Sequence, residues 1–415
     1  MKQSIFGAAD ILLPKNRDEK HMQAWSVIAC DQYTSDGSYW EKVKETVGDM
    51  PSTFRMILPE QYLGKPEETA HAAMIEECMR TYQDEALELF PDTMIYLERT
   101  LLDGSIRHGV LGKFDLEAYD YNKGASSTIR ATERTVLSRI PPRVKIREKA
   151  LIEIPHIMML INDPENRVIS AAKAAKASVP LYDFDLMQNG GHITGWQLDA
   201  TAIENVDEAA AYLADTAKDG FVYAVGDGNH SLAAAKAYYE SLKKTLGTEA
   251  AMAHPARYAL AEIVNLHDEA LVFEPIYRVL FGLELDSAIA ALRAYYRSMV
   301  EGEAENAHVF TFVAGERSVT VSIPEPPAHL PVGTIQKFID ELIVENPRIE
   351  CDYIHGEDAT RALAQNPRCV GILFSGMEKN DLFETVICDG ALPRKTFSMG
   401  EADEKRFYLE ARSIR

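Results

Sequence analysis

Phe221-Val222-Tyr223-Ala224-Val225-Gly226-Asp227-Gly228-Asn229-His230-Ser231-Leu232-Ala233-Ala234-Ala235-Lys236 reads as an apolar strand that empties through glycines into the start of a helix. The first turn of a helix leaves backbone N–H groups without partners and carries partial positive charge. Phosphate oxygens are held there once glycines let the backbone approach. A carboxylate beside bound phosphate repels it unless a metal ion or a proton in transit intervenes, and Asp227 with His230 suits either purpose. The junction therefore points to phosphoryl-transfer chemistry. The spacing Gly226-x-Gly228-x-x-Ser231 also looks like a weakened dinucleotide fingerprint. Against it, Asp227 would face the pyrophosphate, and no acidic residue closes a second strand about twenty positions later. A plain tight turn with Asn229 as a helix cap is the bland alternative.

The chain has 415 residues, more than one hydrophobic core usually supports, so two or three layers or lobes are expected. No apolar run is long enough to cross a bilayer, and the start does not read as a signal peptide; the expectation is a cytoplasmic protein with no membrane partner. Five cysteines lie far apart with no Cys-x-x-Cys pair, and are expected to be buried thiols. A formal charge of −21 argues against nucleic acid as a partner and leaves a small-molecule substrate. Composition says nothing of the oligomeric state. Locally, Arg130, Arg134, Arg139, Arg143, Lys145, Arg147 and Lys149 crowd together, as a solvated helix face or as the lining of an anionic site.

The periodicities predict an α+β fold with a mixed sheet core and a smaller second α/β lobe. Thr93 to Leu102 and Ser105 to Leu116 alternate around Asp103-Gly104, a strong hairpin signal. Helices are expected over Tyr39 to Val47, Glu67 to Phe90 and Asp207 to Lys218, and strands at His156 to Ile161 and Tyr258 to Leu266. A helix from Ala131, the breaker Pro141-Pro142 and a second helix from Val144 complete the basic region. Beyond Phe281 the pattern gives a helix, two alternating strands, a proline-rich turn and a helix from Thr334. The boundaries expected are a catalytic lobe over 1–280, a second lobe over 281–350, and a segment 351–415 that returns to the first lobe.

Ser127 to Thr135 places hydroxyls, arginines and a carboxylate at a loop-to-helix transition. With a helix from Ala131, Arg130 and Arg134 flank a phosphate one turn apart while Glu133 abstracts a proton from an attacking hydroxyl; a capped surface helix with weak ion pairs explains the same residues. His192 and the pair His267-Asp268 are further polar candidates, as is Lys395 in the closing segment.

Five ordered motifs resemble the DUF1015 family: Ala29-Cys30-Asp31-Gln32-Tyr33-Thr34, the Arg-Ala-Thr-Glu segment, Asp227-Gly228-Asn229-His230, Phe273-Glu274-Pro275-Ile276-Tyr277-Arg278 and Leu392-Pro393-Arg394-Lys395-Thr396-Phe397. Many relatives carry Asp-Gly-His-His-Arg at the central position, a motif similar to that of free-serine kinases with a ParB-like core. The resemblance implies an ATP- and magnesium-dependent kinase acting on a small hydroxyl such as free L-serine. Glu133, Asp227 and His230 are then catalytic, with Asp227 also the ligand of Mg2+. Gly226, Gly228, Asn229, Ser231, Arg130, Arg147 and Lys395 bind the nucleotide. Asn229 and Ser231 depart from the relatives' His and Arg, so Arg130, Arg147 or Lys395 has to supply the missing cation. The rival readings are a metal-dependent hydrolase using Asp227, His230, His267 and Asp268, and a non-catalytic nucleotide-binding regulatory protein.

Overall fold

The alternation around Asp103-Gly104 becomes a hairpin of Ile95–Thr100 with Ile106–Asp115, paired antiparallel from Ile95↔Leu111 to Thr100↔Ile106. The computed structural model describes residues 5–30, 33, 36–58, 68–133 and 135–415. Successive side chains of a strand point to opposite faces. Accordingly Ile95, Leu97 and Leu111 enter one core, and Tyr96 and Val110 enter another.

This hairpin sits in a ten-stranded mixed sheet. Its order is Tyr182–Asp185, His192–Gln197, Ile95–Thr100, Ile106–Asp115, Tyr258–Asn265, Met158–Ile161, Tyr223–Asp227, Ile129–Ala131 and Tyr119–Asp120, with Phe6–Gly7 beside Ile106–Asp115. Helices Arg167–Ala174, Ala200–Thr216 and Asn229–Leu246 pack Val168, Val206, Leu232 and Tyr239 into the core shared with Tyr96. Helices Glu19–Trp25 and Gly37–Val47, with the tail residues Phe407, Leu409 and Ala411, cover the other core.

The chain divides into two compact units, 1–271 with 401–415, and 272–400. The expected boundaries were 280 and 350. Glu350–His355 and Cys369–Phe374 both pair with Phe273–Phe281, so residues from 351 to 400 belong to the second unit, and only the last fifteen residues join the first unit. That second sheet has seven strands, paired antiparallel throughout. Two of the motifs quoted above form a single device here. Phe397–Met399 pairs with Phe273–Pro275, and Arg278, fully buried, donates to the carbonyls of Ile276, Arg394 and Lys395 and to Gln336 Oε1. Burial lowers the Arg278 guanidinium to about 10.

Three local expectations are corrected. No helix starts at Ala131: Ile129–Ala131 is a strand, parallel to Tyr223–Val225. Pro141-Pro142 does not break a helix but opens Ile140–Arg147 at its first positions, where a missing N–H costs nothing. Of the cysteines, Cys369 is buried, Cys388 is exposed and the other three are half-buried.

The tail residues 401–415 are tied down by buried charge. Arg406 donates to Glu262 Oε2 at 2.7 Å and Glu410 Oε2 at 2.6 Å, and Tyr182 donates to Glu410 Oε1. Arg412 and Arg147 both meet Glu153. Burial pushes the Glu153 carboxyl up, but the two guanidinium groups outweigh it and the net shift is downward. Removing one partner of such a cluster strands the others, so Arg406→Met should lower the unfolding free energy by about 3–5 kcal/mol. Urea denaturation followed by tryptophan fluorescence reads this, because Trp25, Trp40 and Trp196 all lie in the first unit. A loss no larger than that of a surface substitution would show the cluster to be unimportant. Glu153, depressed when folded, stabilises the protein fully above its unfolded value of about 4.3 and ceases to do so as pH falls through the folded value. Glu153→Gln should therefore flatten the acid limb of the stability profile, measured as denaturation midpoint between neutral pH and pH 3.

Candidate phosphate-binding site

The strand Tyr223–Asp227 carries the site because its pairing changes at its end. Val225 is opposite Met159 and Asp227 is opposite Met158, so Gly226 is the extra residue of a bulge. A bulge re-aims the side chain that follows it, here Asp227. Gly228 then takes a left-handed conformation, φ 82° and ψ 22°, and the helix Asn229–Leu246 begins with no side chain capping it. A Cβ at Gly228 would stand 2.9 Å from Ile157 Cγ1 and 3.1 Å from Ile157 Cα, so the backbone lies directly on that residue. Only glycine meets both demands without strain. Asp227 Oδ1 accepts the Gly228 N–H at 2.8 Å, which fixes the carboxylate at the corner.

The segment containing Glu133 is fastened to this corner on both sides. Thr132 Oγ1 donates to the carbonyl of Val225 at 2.6 Å, and the Val136 N–H donates to His230 Nε2 at 3.3 Å. The second bond makes Nε2 an acceptor and assigns the neutral ring's hydrogen to Nδ1. Downstream, Ile140 and Val144 of helix Ile140–Arg147 pack on Ala233, Ala234 and Ala237 of the motif helix. Glu133, half-buried, is thus held between two contacts with the stretch from Val225 to His230.

The remaining described candidates have contacts of their own. Arg130 lies on the neighbouring strand, opposite Ala224, but its buried guanidinium donates to the carbonyls of Ser127 and Asp219, pairs with Asp219 Oδ2 at 2.9 Å and lies over the Phe221 ring. Arg147 pairs with Glu153. Each guanidinium is engaged by a carboxylate of the fold, Arg130 by Asp219 and Arg147 by Glu153, so either would have to leave that partner to meet a phosphate. Lys395 belongs to the second unit, at φ 53°, and Arg134 lies outside the described residues. His267 Nε2 meets Asn162 Oδ1, Asp268 accepts from the backbone and ring of His108, and His192 sits between Asp183 and Asp185. Among the described residues no group of three or more His, Cys, Asp or Glu gathers as a metal site.

Sequence reasoning did not single out Thr132 as a pin, Ile157 as the wall beneath Gly228, or Asp219 and Glu153 as the partners of the arginines. Thr132 stood in the quoted hydroxyl cluster. Ile157 and Asp219 carry no local signal, because the fold brings them in from distant sequence, and Glu153, six residues from Arg147, falls in no periodic or motif pattern with it.

No curated protein sequence matches the chain. Among solved structures, a free serine kinase in complex with AMP is 13% identical with a TM-score of 0.39, covering 72% of this chain and 90% of its own. A conserved hypothetical protein from Pyrococcus furiosus is 13% identical, TM-score 0.34, covering 70% and 93%. SbnI from Staphylococcus aureus with a C-terminal truncation is 11% identical, TM-score 0.35, covering 72% and 82%. The family described as protein of unknown function (DUF1015) matches residues 13–342, the greater part of the chain, and the protein belongs to that family.

Proposed function

We propose that the chain is an ATP-dependent kinase that transfers the γ-phosphoryl group to a small-molecule hydroxyl, with free L-serine the leading acceptor. The observation that carries this reading is the uncapped helix start behind Gly228 with the Glu133 segment fastened across it. Amide groups at the first turn of Asn229–Leu246 hold phosphate oxygens, aided by the helix dipole. Glu133 takes the proton from the acceptor hydroxyl as its oxygen attacks the γ-phosphorus, and ADP leaves.

The residues present fit a magnesium ion. Asp227 offers a carboxylate, and Asn229 Oδ1 is a buried oxygen with no hydrogen-bond partner, both hard ligands of the kind this cation takes alongside phosphates and water. Asp227 would hold it, and its contribution when bound is to neutralise charge on the transferring group. The chain's own part is to orient the phosphates and the acceptor. Because Arg130 and Arg147 are engaged elsewhere, a second reading also has support: a nucleotide-binding protein without turnover.

Incubation with ATP, Mg2+ and L-serine should give ADP and O-phosphoserine. Glu133→Gln should lower kcat by about 10²–10⁴-fold with nucleotide affinity retained, and Gly228→Ala should weaken nucleotide binding by forcing the backbone off Ile157. Nucleotide binding by calorimetry with no product from any hydroxyl amino acid or sugar would favour the second reading over the first.

A further inference from the structure

The carbonyl of Val225 orients a second side chain besides Thr132. Asn229 Nδ2 approaches it at 3.5 Å, while Thr132 Oγ1 donates to it at 2.6 Å. Turning the amide over would set Oδ1 toward that carbonyl, acceptor facing acceptor, which favours the orientation with Nδ2 on that side. The consequence is that Asn229 Oδ1 is buried with no donor. The facing segment repeats the pattern: Thr135, 7% exposed and adjacent to the Val136 amide that bonds His230, has a hydroxyl with no partner. A buried polar atom without a partner is costly, about 1–3 kcal/mol, and two at one corner mark a place that something else completes.

What completes Asn229 Oδ1 is constrained by its chemistry. An amide oxygen takes a hydrogen-bond donor or a cation, and it sits at a helix start that attracts phosphate, which at neutral pH offers neither. A carboxylate, Asp227, stands two residues away. Carboxylate and amide oxygens together with phosphates are a ligand set for a hard divalent cation.

We propose that Asn229, through Oδ1, is a direct ligand of a divalent cation that arrives with the nucleotide phosphates, sharing it with Asp227. This rests on the nucleotide-site reading above and adds to it the role of the residue that replaces the relatives' histidine. The amide oxygen does for the metal what that position's imidazole would do differently, and Asn229 is not merely a turn residue.

The test is direct cation binding, with Mn2+ as the probe, on the full chain. Bound and free Mn2+ are counted by electron paramagnetic resonance in the presence of saturating ADP, and ADP affinity is measured separately in EDTA by calorimetry. In the ADP complex, Asn229→Ala should weaken Mn2+ binding by about tenfold or more and by more than it weakens ADP binding in EDTA, while Asn229→Asp should retain or tighten Mn2+ binding and, with no cation to intervene, weaken ADP binding in EDTA. Equal Mn2+ affinity in all three proteins overturns the proposal and leaves the nucleotide site standing, with water or the acceptor's ammonium as the partner of Oδ1. A fall of ADP affinity in EDTA that matches the fall in Mn2+ binding overturns it as well, since the amide then serves the nucleotide or the turn. Failure of the unaltered protein to bind ADP under either condition overturns both readings together.

Discussion

The hydroxyl of Thr132 on the carbonyl of Val225 is the interaction on which the site depends. Parallel pairing of Ile129–Ala131 with Tyr223–Val225 brings the two strand ends side by side, and the chain must then leave both strands. Had Ala131 continued into a helix, Glu133 would have turned with that helix and its position would follow helical phase. Instead the Thr132 bond holds the exit of one strand to the last carbonyl before the Gly226 bulge of the other. Glu133 is carried past the helix start outside any helix, and the chain is secured again at Val136 by His230.

A second constraint acts from beneath. The contact of Gly228 with Ile157 leaves no room for a side chain, and the same glycine is in the left-handed conformation. Ile157 precedes the strand Met158–Ile161, which the sheet places between Tyr258–Asn265 and Tyr223–Asp227. The corner is therefore supported by the central sheet, and its geometry is tied to the register of three strands. Buried ion pairs of Arg406 and Arg412 fasten the tail to this same unit through Glu262 and Glu153.

What could be read from the sequence was what local pattern encodes. The hairpin at Asp103-Gly104 and the strand-to-helix step at Gly226 to Asn229 were legible because period, turn chemistry and glycine placement agree at short range. The helix assigned from Ala131 failed for the complementary reason. Ala-Thr-Glu-Arg is compatible with a helix on its own, and only the partner strand Tyr223–Asp227, some ninety residues away in the sequence, turns Ile129–Ala131 into sheet. Arg130 and Arg147 were read as cations for phosphate because charge clusters show sign but not partner; Asp219 and Glu153 hold them. Of the motifs at Phe273 and Leu392, the second offered Lys395 as a site candidate, and the fold joins the two through Arg278, which donates to the backbone carbonyls of Arg394 and Lys395.

This use of arginine bears on how an acidic protein could handle an anionic ligand. Six arginines among the described residues are buried, and three of them, Arg130, Arg406 and Arg412, face carboxylates of the fold. With a net charge of −21, the long-range field opposes the approach of a nucleotide carrying its full negative charge. Attraction then has to come from short-range elements: helix amides, whose charge is a property of the backbone, and a cation that lowers the nucleotide's own charge before the two meet. An oxygen-bearing residue at position 229 suits that arrangement better than a second positive side chain. In the proposed site it would favour the metal-bound nucleotide over the bare one, so discrimination between the two would rest on Asp227 and Asn229, and a cation-dependent affinity would follow from the same charge balance that makes the protein acidic.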